Sequence, residues 1–194
     1  EQGWTPEKTV SDQPDATGWP SNGRHGHSPT PVRLIDAFKE SLNAAAVNLL
    51  RGVGLDRVKE TASRLGISGD FPAETGLALA LGVREVKPLE MTAAYAVFAN
   101  GGFAVNPYGI LGVRTKGGTI RYWRDQPKPA RIVKPETVAQ MNRLLQAVVT
   151  DGTGKAAQFG KQAVGGKTGT TQGGADAWFI GCTAHLCAGV WMGY

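Results

Sequence analysis

Lys167 stands in the run Gly165-Gly166-Lys167-Thr168-Gly169-Thr170-Thr171, and Asp176-Ala177-Trp178-Phe179-Ile180-Gly181 comes a few residues later. An ammonium group flanked by hydroxyls is the chemistry of anion recognition: Lys167 attracts a carboxylate, and Thr168 and Thr170 can hydrogen-bond it. Gly165, Gly166 and Gly169 remove side chains where a ligand backbone could come close. A phosphate loop would need a glycine, four residues, and then Gly-Lys-Ser/Thr opening a helix. Counting back from Gly166, that first glycine position holds Lys161, and Gly160 is out of register. Gln172-Gly173-Gly174 then interrupts any helix, so the lysine is expected on a strand.

The segments that must position this strand are legible from periodicity. Residues 1–31 are rich in Gly and Pro and read as a loop-rich lead-in. Leu34, Ile35 and Phe38 recur at helical spacing, and Ala44 to Leu50 form a second helical run that ends near Gly52. Ser41-Leu42-Asn43 lies between the two. Residues two apart do not share a helix face, so Ser41 and Asn43 converge on one ligand only if the helix breaks there; the simpler reading makes Asn43 a cap for the second helix. Further helices are expected over residues 55–65, over 88–100 with Pro88 in the first turn, and from Pro135 to about 150 with Val138, Met141, Leu144, Leu145 and Val148 on one stripe. Lys116-Gly117-Gly118 reads as the turn of a hairpin, and residues 163–171, 176–183 and 187–194 read as three consecutive strands. Helices early and strands late argue for an α+β fold with an antiparallel sheet rather than a βαβ repeat. The division expected is a lead-in over 1–31, a mainly helical part over 32–105, and a hairpin, long helix and strands over 106–194.

At 194 residues and 41% apolar composition the chain can bury a core. Its net charge of +5 is interspersed with acids, as in Asp56-Arg57 and Lys59-Glu60, so a mixed solvated surface is expected and no nucleic-acid partner. No apolar run reaches the roughly eighteen residues of a membrane span. His25, His27 and His185 lack companions at ligand spacing, so no metal and no cofactor are expected. Cys182 and Cys187 flank a tight turn; adjacent-strand geometry often disfavours a bridge, which makes two small buried thiols the expectation and a disulfide the alternative. Trp178 and Trp191 are expected in the core.

Lys167-Thr168-Gly169-Thr170-Thr171, Asp176 to Gly181 and Gly189-Val190-Trp191-Met192-Gly193-Tyr194 resemble the end of a penicillin-binding transpeptidase domain of the class A, bifunctional kind. Ser41-Leu42-Asn43 resembles that family's Ser-x-Asn element. Further likeness lies in Leu79-Ala80-Leu81-Gly82, in Glu85 to Met91 leading to Tyr95 and Asn100-Gly101-Gly102, and in Gly152-Thr153-Gly154, so the resemblance covers nearly the whole chain. It implies a β-lactamase/transpeptidase-like fold, an antiparallel sheet packed between helices. It also implies a role in cross-linking peptidoglycan stem peptides through a serine acyl-enzyme, in a pocket that β-lactams share. The site residues implied are Ser41 as a proton-relay hydroxyl, Asn43 as the amide that orients the donor peptide, and Lys167 as the cation facing both Ser41 and the substrate carboxylate. Thr168, Gly169, Thr170 and Thr171 form the substrate-binding strand, with the Thr170 N–H as an oxyanion donor.

One departure is specific. The family's nucleophile belongs to a Ser-x-x-Lys motif upstream of these elements, and none of the serines at 11, 21, 28, 41, 63 and 68 has lysine three residues on. Thr5 has Lys8 at that spacing but is directly succeeded by Pro6. The stretch Glu1 to Pro6 resembles the segment just after the nucleophile's helix, so the chain is expected to be a piece of a longer extracytoplasmic protein with an upstream membrane anchor and glycosyltransferase domain. A non-catalytic module that binds stem peptide or β-lactam, or a structural segment with residual motifs, are the alternatives. The fold is expected to be incomplete, with apolar surface exposed where the missing helix would lie.

Overall fold

The computed structural model describes residues 3–194. Glu1 and Gln2, which begin the stretch compared with the segment after the nucleophile's helix, lie outside the described residues. A short pairing of β1 (Thr9–Val10) with β2 (Val32–Arg33) closes the lead-in. The chain then runs through α1 (Leu34–Lys39), α2 (Asn43–Val53) and α3 (Leu55–Arg64), a kinked pair of 3-10 turns over Ala73–Leu81, and α4 (Pro88–Ala99). A hairpin of β3 (Gly112–Arg114) and β4 (Ile120–Trp123) leads to the long α5 (Pro135–Asp151), and three antiparallel strands complete the chain: β5 (Gly165–Thr170), β6 (Asp176–Cys182) and β7 (Cys187–Gly193).

The expected elements are present within one to four residues at their ends. Proline opens both α4 and α5, where its missing N–H costs nothing, and Glu90 and Glu136 place negative charge in the first turns. On the α5 stripe Val138, Leu144, Leu145 and Val148 are buried and Met141 is half-buried; α5 packs along β5 while α4 lies against β7. Sheet and helices therefore share one core, which fixes β5 as an edge strand of the order β5-β6-β7. An edge strand leaves alternate backbone N–H and C=O groups without sheet partners, a ready template for an extended ligand. The opposite edge strand, β7, is largely exposed, with Met192 70% accessible.

The lead-in holds a buried acidic side chain. Asp12 is 1% exposed and accepts hydrogen bonds from Asn22 Nδ2 at 2.8 and 2.9 Å and from the Ser28 N–H at 2.9 Å. Asn22 in turn accepts from the backbone N–H of Ala44 at 3.0 Å, satisfying one of the orphan donors at the start of α2. The cap on this helix thus comes from a residue distant in sequence. Asn43 does not cap it; its Nδ2 donates to the Ser21 carbonyl at 2.8 Å. Val10 packs with Ala37 and Ala45, so the lead-in is also tied to α1 and α2 by apolar contact.

Two expectations are corrected. Cys182 and Cys187 are register partners and are joined as a disulfide. Trp178 and Trp191, also register partners, have ring centroids 6.3 Å apart, but Trp191 is 46% exposed and its Nε1–H donates to Asp176 Oδ1 at 2.8 Å. The indole needs a hydrogen-bond partner, and Asp176 supplies one at the surface rather than in the core.

Removing the Asn22 amide strips Asp12 of two hydrogen bonds and α2 of its cap. Asn22→Ala is expected to destabilise the fold by about 2–4 kcal/mol, measured by chemical denaturation. A change within about 0.5 kcal/mol would contradict the role given to the buried pair.

Candidate functional site

α1 ends in a turn that explains the conformation of Ser41. The Ser41 N–H donates to the Phe38 carbonyl at 3.2 Å and the Leu42 N–H to the Ala37 carbonyl at 3.0 Å, the two bonds of a Schellman cap. The residue at the turn must be left-handed, and Ser41 adopts φ 56°, the one non-glycine residue with positive φ among those described. Glycine normally takes this place, and a side chain there costs about 1 kcal/mol. That cost places the Ser41 hydroxyl at the mouth of a break between α1 and α2, facing β5.

Lys167 Nζ reaches across to donate to Ser41 Oγ at 2.8 Å and also donates to the Thr168 carbonyl at 3.0 Å. Its ammonium lies 5.8 Å from the centroid of the Phe38 ring. Among the described residues no carboxylate pairs with it. An ammonium has three donors, so one remains for a ligand. Burial of the half-enclosed side chain, with no compensating acid, lowers its pKa from 10.5 to about 8. The unfolded chain keeps that proton to about 10.5, so between pH 8 and 10.5 the unfolded state binds more protons and this group's contribution to stability rises with pH.

Glycine at 166 is required by packing: a Cβ there would sit 2.7 Å from the Phe179 ring and 2.8 Å from the Ile180 carbonyl. It lets β5 lie close on β6, in the register Lys167↔Ile180 and Thr168↔Phe179. At the end of β5 the Thr171 hydroxyl accepts from the Asp176 N–H at 2.8 Å and donates to Asp176 Oδ2 at 3.2 Å, closing the turn into β6. Lys167 to Thr171 line a groove of about 760 Å³ whose apolar wall includes Val58, Tyr95, Trp178 and Ile180. Burial pushes the Tyr95 phenol up to about 12, and Arg84, Glu85 and Asp176 also line the groove. A second cavity of about 220 Å³, beyond Gly165 near the β6–β7 turn, is lined by no charged residue.

Of the residues singled out in the sequence, Ser41, Lys167 and Thr168 are brought together. Asn43 bonds to neither Ser41 nor Lys167 and is held against the lead-in. Gly169 and Thr170 continue the edge strand, and the Thr170 side chain is exposed. Sequence reasoning missed the hydroxyl contact of Thr153 with Thr168 and the Asp12–Asn22 support behind Asn43. The first carried one signal, the Gly-Thr-Gly run; the second carried none, because polar residues in a Gly/Pro-rich stretch read as solvated loop.

A family model described as the penicillin-binding protein transpeptidase domain matches residues 1–186. Penicillin-binding protein 1A of Aquifex aeolicus is 40% identical over 163 residues, covering 84% of this chain and 22% of its own length. Penicillin-binding protein 4 of Bacillus subtilis is 36% identical over 165 residues, covering 84% of this chain and 26% of its own. The crystal structure of penicillin-binding protein 1A from Haemophilus influenzae superposes with a TM-score of 0.85 over 100% of this chain and 36% of that one, at 27% identity. The PonA1 protein from Mycobacterium tuberculosis in complex with penicillin V gives 0.83 over 99% of this chain and 56% of that one, at 23% identity, a likeness of fold. The chain spans about a quarter of the length of the curated relatives it matches.

Ser41→Gly and Ser41→Ala both remove the hydroxyl that Lys167 donates to, and only alanine keeps a side chain at the left-handed position. Ser41→Gly is therefore expected to melt a few degrees above Ser41→Ala in differential scanning calorimetry; equal melting temperatures would contradict the strain assigned to Ser41.

Proposed function

From the premise that this chain belongs to the penicillin-binding protein transpeptidase family, we propose that it supplies one half of a serine-type D,D-transpeptidase site, acting on peptidoglycan stem peptides and open to β-lactams. In the reaction, a serine oxygen attacks the carbonyl of a terminal D-Ala-D-Ala bond. The C–N bond breaks, D-alanine leaves with a proton, and the acyl-enzyme is resolved by an amine that forms the cross-link and returns the proton. The serine of a Ser-x-x-Lys motif is not among the residues of this chain. What the chain contributes is recognition and proton handling. Lys167 holds the substrate carboxylate with its free N–H, and the Ser41 hydroxyl passes protons between the leaving group and its surroundings. The Asn43 amide aligns the donor peptide. Thr168 and Thr170 hydrogen-bond the carboxylate across the edge of β5, Gly169 and Thr171 complete the substrate-binding strand, and the Thr170 N–H faces the developing oxyanion.

The observation that carries this reading is the 2.8 Å contact between Lys167 Nζ and Ser41 Oγ, two residues 126 positions apart. A buried cation without an acid is costly unless its anion arrives with a ligand. The groove beside it is extended, apolar on one wall and open along a strand edge, as a peptide ending in a carboxylate requires. Action outside the cytoplasmic membrane, with anchor and glycosyltransferase domain elsewhere in a longer protein, belongs to the same proposal. Among the described residues no helix is long and apolar enough to cross a membrane.

In the full-length protein, Lys167→Ala is expected to slow acylation by penicillin about a hundredfold or more; unchanged acylation would remove Lys167 from the mechanism. Because the ammonium loses its proton near pH 8, pre-covalent affinity for penicillin is expected to fall by about tenfold per unit as pH rises above that value. A flat profile between pH 7 and 10 would contradict the assignment.

A further inference from the structure

Thr153 lies in the Gly152-Thr153-Gly154 run, where the chain leaves α5, and its hydroxyl meets that of Thr168 at 2.7 Å. The loop is folded back on the last turn of α5: Gly152 and Gly154 donate N–H groups to the Val148 carbonyl at 3.1 and 2.9 Å. It also grips the end of α1. The Thr153 N–H donates to the Lys39 carbonyl at 3.1 Å, and Lys39 Nζ pairs with Asp151 at 2.5 Å. A Cβ on Gly152 would collide with the Lys39 carbonyl and come within 2.9 Å of the Lys39 Cβ, so glycine is what lets the two segments touch. Lys39 is two residues before Ser41, and Thr168 is next to Lys167. One loop therefore holds both sides of the Lys167–Ser41 contact.

The Thr153 side chain itself is exposed. It is placed by polar contacts and fills no apolar hole. Two hydroxyls 2.7 Å apart share one proton between them, which leaves the other O–H free. With Thr153 as donor, the Thr168 oxygen is occupied from behind and its own O–H is left free for a ligand on β5, one residue along from Lys167. A hydroxyl that accepts a bond is also a better donor.

We propose that Thr153 is a positioning residue for carboxylate recognition: it orients and polarises the Thr168 hydroxyl, so that the site favours ligands carrying a free carboxylate next to the reacting carbonyl over their neutral esters. This rests on the function proposed above. Thr153 acts on binding, through Thr168, and not on the acyl-transfer step.

The test uses the full-length protein, with penicillin G and its methyl ester as probes, and separates the dissociation constant of the pre-covalent complex from the acylation rate constant. Thr153→Val, close in shape and without the hydroxyl, is expected to weaken penicillin G binding about fivefold to tenfold, to leave the acylation rate constant within about twofold, and to leave the ester unaffected. Thr153→Ser restores the acid's affinity. Equal losses for acid and ester would make the loop a packing element only and overturn the inference, as would acid binding unchanged by Thr153→Val. Lys167→Ala in the same assay separates the two levels. If it leaves penicillin G untouched, the site reading fails and this inference with it. If it abolishes the acid's advantage while Thr153→Val does not alter it, only the role of Thr153 fails.

Discussion

The contact between Lys167 and Ser41 sets the terms for the rest of the structure. A half-buried ammonium without an acidic partner must be held by dipoles, and here these are a hydroxyl, a carbonyl and, at longer range, the face of Phe38. Desolvation without a compensating acid disfavours the charged form and lowers the lysine's pKa to about 8. Neutralising Lys167 with a paired carboxylate would relieve the cost and occupy the place of an incoming anion; Glu85 and Asp176 line the groove, but neither forms an ion pair with Lys167 among the described residues.

Each supporting device serves to bring two distant segments to that point. The Schellman turn gives Ser41 a conformation that serine adopts reluctantly, and α5 packed along β5 fixes the lysine's strand. Between them, residues 151–154 touch the end of α1 on one side and Thr168 on the other. Behind Asn43, the buried Asp12 and Asn22 anchor the lead-in to the first turn of α2. The proposed chemistry is on a strand edge and at a helix break; the stiffness behind both comes from a core of small apolar residues, Val47, Val97, Val148 and Val149.

The range of the interactions involved decides how much was legible in advance. α5 was legible because Val138, Leu144, Leu145 and Val148 repeat at the helical period and Pro135 marks its start. The three late strands were legible because glycine and turn residues bracket them. Lys167 was singled out by its local run of Gly and Thr. The partnership with Ser41 came only through the family likeness, since nothing local in Ser41-Leu42-Asn43 tells a catalytic hydroxyl from a turn. The Asn22 cap was invisible because the N–H it accepts from lies 22 residues away, while Asn43, the nearest cap-forming type, donates to Ser21 instead. Trp191 misled for a related reason: its ring suits a core, but its N–H is satisfied by Asp176 at the surface. The disulfide turned on register, and only the pairing Cys182↔Cys187 decides it.

The central proposal is that these residues form one half of an acylation site completed by the serine of a Ser-x-x-Lys motif. Intact mass after penicillin exposure tests it most directly, comparing the chain alone with the chain extended upstream through such a helix. The account predicts a single penicilloyl adduct on the extended protein, on the added serine, and none on the chain alone. An adduct on the chain alone, or none on an extended protein that folds, would contradict it.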